Sequence, residues 1–214
     1  MNVTKLISGK KINIGNNFKI LLKKFTRPAT LISLGLLFFI IVCAVCAPIL
    51  APTNPYDLKV VSILDSRISP GDSMFNGTIA WLGTDGAGRD VLSAIIFGLR
   101  TSLVVAISSA LIALTVGLFV GLIAGFYGGK IDAFLMRIVD IQLSFPAILV
   151  ALVLLALLGK GIDKVIIALA IVQWAIYART VRAAAIVERN KEYIQAASCL
   201  GLSNTLIIWK HLLP

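Results

Sequence analysis

Charge is scarce in this sequence: 14% of its 214 residues are Asp, Glu, Lys or Arg, while 58% are hydrophobic. A soluble domain needs polar side chains to cover its surface, so the composition argues against that class. There is one histidine, His211, which by itself makes neither a metal site nor a triad and reads as a local polar residue. Cys43 and Cys46 form a C-x-x-C inside an apolar run, with no second ligand pair, and Cys199 stands alone. They read as small apolar side chains rather than a redox or zinc framework. A phosphate loop is missing: Gly129-Lys130 is followed by Ile131, and Gly159-Lys160 by Gly161. Gly86-Ala87-Gly88 lacks the strand-helix setting of a nucleotide fold. With no nucleophile elbow, zinc-ligand pair or carboxylate dyad either, the expectation is a non-enzyme that binds no metal and no cofactor of its own.

Long apolar runs are what the chain does have. Runs at residues 30–50, 101–125, 134–158 and 165–182 are each long enough, at about 1.5 Å per residue, to cross a bilayer core of ~30 Å or nearly so. A signal peptide's apolar core is shorter, about 7–15 residues, so the first run reads as an uncleaved span. Residues 51–100, with Pro52, Pro55, Pro70 and several glycines and aspartates, read as an external loop with one short helix near 89–99.

The net charge of +10 suits membrane orientation better than nucleic acid, because seven of the twenty basic residues precede the first apolar run. With the N-terminus inside, the pieces facing the cytoplasm hold 14 Lys and Arg and the outer pieces hold 6. That bias places residues 1–29 and everything after the fourth span in the cytoplasm.

Within the second span, Ser109, Ala113, Gly117, Gly121 and Gly125 recur every fourth position. Such a stripe on one helix face lets another backbone approach closely, inside the bundle or from a second subunit. The third span carries Pro146, which removes a backbone hydrogen bond and reads as a gating hinge or a packing kink. Near its inner end, Arg137 and Asp140 stand at i, i+3 and can pair on one face.

After the fourth span comes a mixed run over 188–200, helical by propensity, with an apolar side through Tyr193, Ala196, Ala197 and Leu200. Gly201 can take a positive φ and end that helix, and Ser203 or Asn204 can cap the next. The reading is a short helix-turn-helix outside the membrane, with alanines that leave room for a partner surface. An amphipathic helix lying on the bilayer fits the same residues.

Gln195-Ala196-Ala197, Gly201 four positions on, and the closing Leu213-Pro214 resemble the cytoplasmic coupling (EAA) loop of permease subunits in ABC-type importers. Three further blocks resemble the dipeptide/oligopeptide/nickel permeases in particular, nearest to the second permease subunit of the peptide systems. They are residues 81–93, with Gly83, Asp85, Gly88, Arg89 and Asp90; residues 126–146, with Gly128, Gly129, Asp132, Arg137, Asp140 and Pro146; and residues 177–193, with Arg179, Arg182, Glu192 and Tyr193. The departures are Gln195 for the loop's usual glutamate, Ala94 for an arginine, and His211 for an isoleucine.

The resemblance implies an all-α polytopic transmembrane bundle of the type I ABC importer permease fold, with about four spans present and the last two missing. Its divisions would be a cytoplasmic tail (1–29), a first span (30–50), an external loop (51–100), a three-span core (101–182) and a coupling loop (183–214). In that loop Glu192, Gln195, Ala196, Ala197, Gly201, Leu213 and Pro214 would meet the ATPase. Asp85, Arg89 and Asp90 would face a binding protein or simply pair with one another in a structural loop. Implied partners are a second homologous permease subunit, two ABC ATPase subunits that bind the ATP, an extracytoplasmic solute-binding protein and the lipid bilayer of the inner membrane, with no nucleic acid. The implied function is import of di- or oligopeptides. Nickel or another small solute is the alternative, and a non-transporting membrane remnant of a truncated gene is the other.

The charge bias has a direct test. Alkaline phosphatase fused after Gly161 should be active outside the membrane, and the same enzyme fused after Gly129 should be inactive.

Overall fold

The computed structural model describes residues 27–57 and 59–213, so most of the expected tail, and Pro214 of the expected coupling loop, lie outside the described residues. The chain divides into two compact units, Met1–Arg100 and Thr101–Pro214. Helix is the dominant regular structure among the described residues, whose only β-type pairing is two isolated bridges. Among the described residues, three helices are long and apolar enough to cross a membrane, and a bent pair makes a fourth candidate span.

In the first unit, α1 (Pro28–Val45) begins on a proline, whose fixed φ and missing N–H suit a helix's first position. Leu31, Ile32, Phe38 and Phe39 stay exposed to what would be lipid. A short α2 (Ala47–Leu50) follows a break at Cys46. The break has a local cause, since Pro48 cannot donate to the carbonyl four residues back and its ring collides with it.

The loop that follows hides a tandem repeat of eleven residues, 70–80 and 81–91. Met74 N donates to Thr78 O and Asp85 N to Arg89 O; Gly77 N donates to Met74 O and Gly88 N to Asp85 O; Ala80 N donates to Asp72 O and Val91 N to Gly83 O. Each copy carries one isolated antiparallel bridge, Ser73 with Ile79 and Thr84 with Asp90. Gly77 (φ 80°) and Gly88 (φ 78°) hold the same left-handed corner. At Gly88 a Cβ would also lie 1.9 Å from Ser62 O, so no other residue fits there. The single-turn 3-10 helix Ile63–Asp65 supports the first copy, where buried Asp65 accepts Phe75 N at 2.7 Å.

The expected short helix near 89–99 is not a separate element. It is the start of α3 (Val91–Tyr127), a 37-residue helix. Buried Asp90 precedes it and accepts Ser93 N at 2.9 Å and Ser93 Oγ at 2.5 Å, satisfying an otherwise orphan donor of the first turn.

In the second unit, α3 turns at Gly128 (φ 65°) and Gly129 (φ 54°) into α4 (Gly129–Ser144). Next come α5 (Ala147–Leu158), a turn through Gly159 and Gly161, and α6 (Ile162–Arg189). The stripe on α3 faces α6. A Cβ at Gly117 would lie 2.7 Å from Trp174 O, at Gly121 2.6 Å from Ala178 O, and at Gly125 3.0 Å from Arg182 O. Ser109 and Ala113, on the same stripe, are buried. The close approach is therefore within the chain. On its other side α6 packs against α4, where Val139 is fully buried against Ala175 and Ala178.

Two expectations for the third span are corrected. It is a pair of helices meeting at 88°, not one helix with a proline kink. The residue before a proline is pushed out of the α region, and Phe145 accordingly sits at φ −94°, ψ 141°, ending α4, while Pro146 opens α5. Nor does Asp140 pair with Arg137. It pairs across to Arg179 on α6, because α4 turns that face toward α6.

The seam gives a sharp contrast. Gly121→Val should lower the free energy of unfolding in detergent by the ~1–3 kcal/mol typical of overpacking. Gly98→Ala, where a Cβ meets nothing within 4 Å, should leave it unchanged or raise it by up to about 1 kcal/mol.

Candidate functional site

The segment beyond the last span is built on the end of α6. Glu188, in its final turn, binds Lys191 Nζ at 2.7 Å and accepts the hydroxyl of Tyr193. Lys191 is extended (φ −75°, ψ 148°), and the chain restarts as α7 (Glu192–Cys199). The hydrogen bond to the Glu188 carboxylate raises the Tyr193 pKa above the usual phenol value, since the neutral hydroxyl is the donor. Gln195 Nε2 reaches back to Asn190 O at 3.2 Å, closing the same corner.

A Schellman turn ends α7. Leu202 N donates to Ala197 O at 3.3 Å and Gly201 N to Ser198 O at 3.1 Å, with Gly201 at φ 76°. Leu202 then packs beside Ala197, the apolar contact that accompanies this cap. Ser203 caps α8 (Asn204–Ile207) by accepting Leu206 N at 3.4 Å. A wide π-helical turn, Ile208–Leu212, follows, with Leu213 N donating to Ile208 O.

These pieces carry two small cores. Ile194, Ala197 and Ile207 close on Phe126 and Leu202. Ile208 and Leu212 close on Leu122 of α3 and Ala185 of α6. Trp209 meets the ring of Phe119 edge-on at 5.6 Å. A cavity of about 360 Å³ opens at the base, lined among others by Leu118, Leu122, Glu188, Tyr193, His211 and Leu213.

The expected apolar side of the first short helix is corrected by this packing. Ile194 and Ala197 point inward, whereas Tyr193, Ala196 and Leu200 are exposed, Leu200 at 81%. Ala197 therefore leaves no space for a partner, being covered by its own chain. Glu192, Gln195, Ala196 and Gly201 do present an outer face, and Leu213 is half-buried beside the cavity. The helix expected over 188–200 is two helices, because α6 runs on to Arg189 before the corner.

Two cross-helix ion pairs stand above the loop and were not legible beforehand. Arg182 grips Asp132 with two donors, Nε to Oδ1 and Nη2 to Oδ2, the latter at 2.5 Å. Arg179 holds Asp140. All four residues are visible as charges near apolar runs, but only the packing of α4 on α6 says who pairs with whom.

In the first unit the three expected contact residues part company. Asp85 and Arg89 are half-exposed and paired at 2.8 Å. Main-chain donation from Arg89 leads the causes that lower the Asp85 pKa, with further help from the Arg89 side chain and Ala87 N. Asp90 is buried as the cap of α3 and presents nothing to a partner.

Residues 117–214 match the family described as binding-protein-dependent transport system inner membrane component. Among curated proteins, the chain is 37% identical to the di/tripeptide transport system permease protein DppC of Pseudomonas aeruginosa, covering 84% of this chain and 59% of that protein. It is 35% identical to the dipeptide transport system permease protein DppC of Bacillus subtilis, covering 85% and 54%. It is also 35% identical to the glutathione transport system permease protein GsiD of Pectobacterium atrosepticum, covering 75% and 52%. The chain thus spans about half the length of the curated relatives it matches. Over residues 117–214 it belongs to the family of binding-protein-dependent transport system inner membrane components.

Proposed function

We propose that the chain forms the membrane-spanning, energy-receiving part of a peptide importer's permease subunit. It works with a second permease, a pair of ABC ATPase subunits and an extracytoplasmic solute-binding protein. The carrying observation is the outer face of α7. It is a short helix held outside the spans by its own small core, closed by a left-handed glycine, and fixed to the end of a 28-residue membrane helix. Glu192, Gln195, Ala196 and exposed Leu200 make a mixed polar and apolar surface of the kind that docks into a groove on another protein. The relatives' names supply the solute class, which is di-, tri- and oligopeptides including glutathione.

In this reading ATP binds and is hydrolysed on the partner subunits, and this chain supplies no catalytic group. Closure of the ATPase pair displaces α7. Because α6 is one unbroken helix of ~42 Å at 1.5 Å per residue, displacement at Arg189 is carried into the membrane rather than absorbed in a loop. The N-terminus and α7 both lie on the cytoplasmic side of the inner membrane, as the distribution of Lys and Arg supports.

The test uses the complete transporter in proteoliposomes, with uptake of a labelled dipeptide driven by internal ATP. Gly201→Val should insert and assemble but lose uptake by about tenfold or more, because a β-branched residue cannot hold φ near +76° without strain. Gly201→Asn, which tolerates that region, should keep most of it. Wild-type uptake that ignores ATP, or full uptake by Gly201→Val, overturns the reading.

A further inference from the structure

We propose that the ion pairs Asp132–Arg182 and Asp140–Arg179 lock α4 onto α6 as one moving body, so that displacement of α7 is delivered to the Phe145–Pro146 break and there moves α5. The inference rests on the transport reading above and deepens it by naming positioning residues that touch neither ATP nor solute.

Continuity of fixed contacts is the first argument. At the base, Glu188 is held by both Lys191 and Tyr193, which ties α7 to the end of α6 by side chains as well as by chain. Higher on α6, the backbone of Arg182 is pressed against Gly121 and Gly125 of α3, and Arg189 reaches Gly125 O at 3.5 Å. The Arg182 side chain leaves that seam on the other side and forks onto Asp132 of α4. A two-donor guanidinium grip fixes direction as well as distance, which a single lysine contact does not. Arg179 repeats the attachment at Asp140, and Gln142 Nε2 donates to Ile171 O at 3.4 Å. Between these polar ties, Val139 is fully buried against Ala175 and Ala178.

Contrast across the break is the second argument. Below it α4 has a buried residue and two cross-helix ion pairs; above it α5 has no buried residue. The chain between them is extended at Phe145 and lacks a donor at Pro146, so no helical hydrogen bond stiffens the 88° corner. α5 packs along α6 as well, but through apolar side chains alone, which can slide where ion pairs cannot; at a donor-free corner between the two, rigid-body motion turns into relative motion.

The experiment uses the complete transporter in proteoliposomes, with Cys43, Cys46 and Cys199 replaced by serine. Ile148→Cys on exposed α5 serves as a reporter, labelled by a small membrane-permeant maleimide with and without ATP. In the parent, ATP should change the labelling rate by roughly threefold or more, the sign of a shifted population. In intact complexes isolated by size, Arg182→Asp should abolish that change while ATP hydrolysis continues, and Asp132→Arg with Arg182→Asp should restore it. A disulfide between Asp132→Cys and Arg182→Cys should preserve the change, since the two helices travel together. A purely structural pair would alter yield or melting and leave the response of surviving complexes at the parent level. The proposal is overturned by a parent whose labelling ignores ATP while ATP is hydrolysed, by a normal response in Arg182→Asp, by failure of the double reversal to restore it, or by a disulfide that blocks it. If the reversals do not assemble, Arg182→Lys decides: it keeps the charge without the fork, so a reduced response supports the proposal and an unchanged one overturns it. Because the reporter needs no solute, a parent that responds to ATP yet imports no peptide overturns the transport reading and leaves this inference standing.

Discussion

Everything in the membrane unit depends on how closely α3 lies against α6. In lipid, burying apolar surface between helices gains little, because the hydrocarbon is as apolar as the side chains it replaces. What remains is contact at short range, and Gly117, Gly121 and Gly125 provide it by removing every atom beyond Cα along one stripe. The backbone of α6 from Trp174 to Ile186 then sits in the space a row of side chains would fill. That contact sets the rotation of α6, and with it which residues turn toward α4. Arg179 and Arg182 fall on that side.

The terminal segment obeys different physics on the same base. Outside the spans, burial again has water to escape, and a handful of residues suffices. Ile194, Ala197 and Ile207 with Phe126 make one cluster, and Ile208 and Leu212 with Leu122 and Ala185 make the other. Each is too small to order a free helix of eight residues, since such helices are marginal in water. Their anchorage on α3 and α6 completes them. The loop is stable because the seam beneath it is, and its orientation follows the orientation of α6.

Much of this was legible in the order of residue types. Runs without charge mark the spans, a four-residue recurrence of small side chains marks the seam, and Gly201 followed by Ser203 marks a helix end and the next start. The misreadings share a cause. Pro146 pushes Phe145 out of the helical region, but how far α5 then turns from α4 is set by what each half packs against. Ala196 and Ala197 are neighbours of one type, yet one faces out and one in, because Ile207 comes from a later helix. The eleven-residue repeat is hidden in the sequence for another reason: its hydrogen bonds are main-chain, so Met74 and Asp85, or Thr78 and Arg89, play one role with unlike side chains.

By itself, then, the sequence determined the properties that are sums or periodicities along the chain. These are the number and length of apolar runs, the imbalance of basic residues, the small-residue stripe and the glycine corners, each set by local sterics or by transfer from water to lipid. Tertiary structure decided what depends on pairs far apart in the chain: Arg182 with Asp132, Arg179 with Asp140, the inward turn of Ala197 and the 88° break. A charge or a methyl group has no preferred partner until backbones are brought within a few ångströms. For the ion pairs that proximity comes from Val139 of α4 lying on Ala175 and Ala178 of α6, the helix that three glycines of α3 hold from its other side.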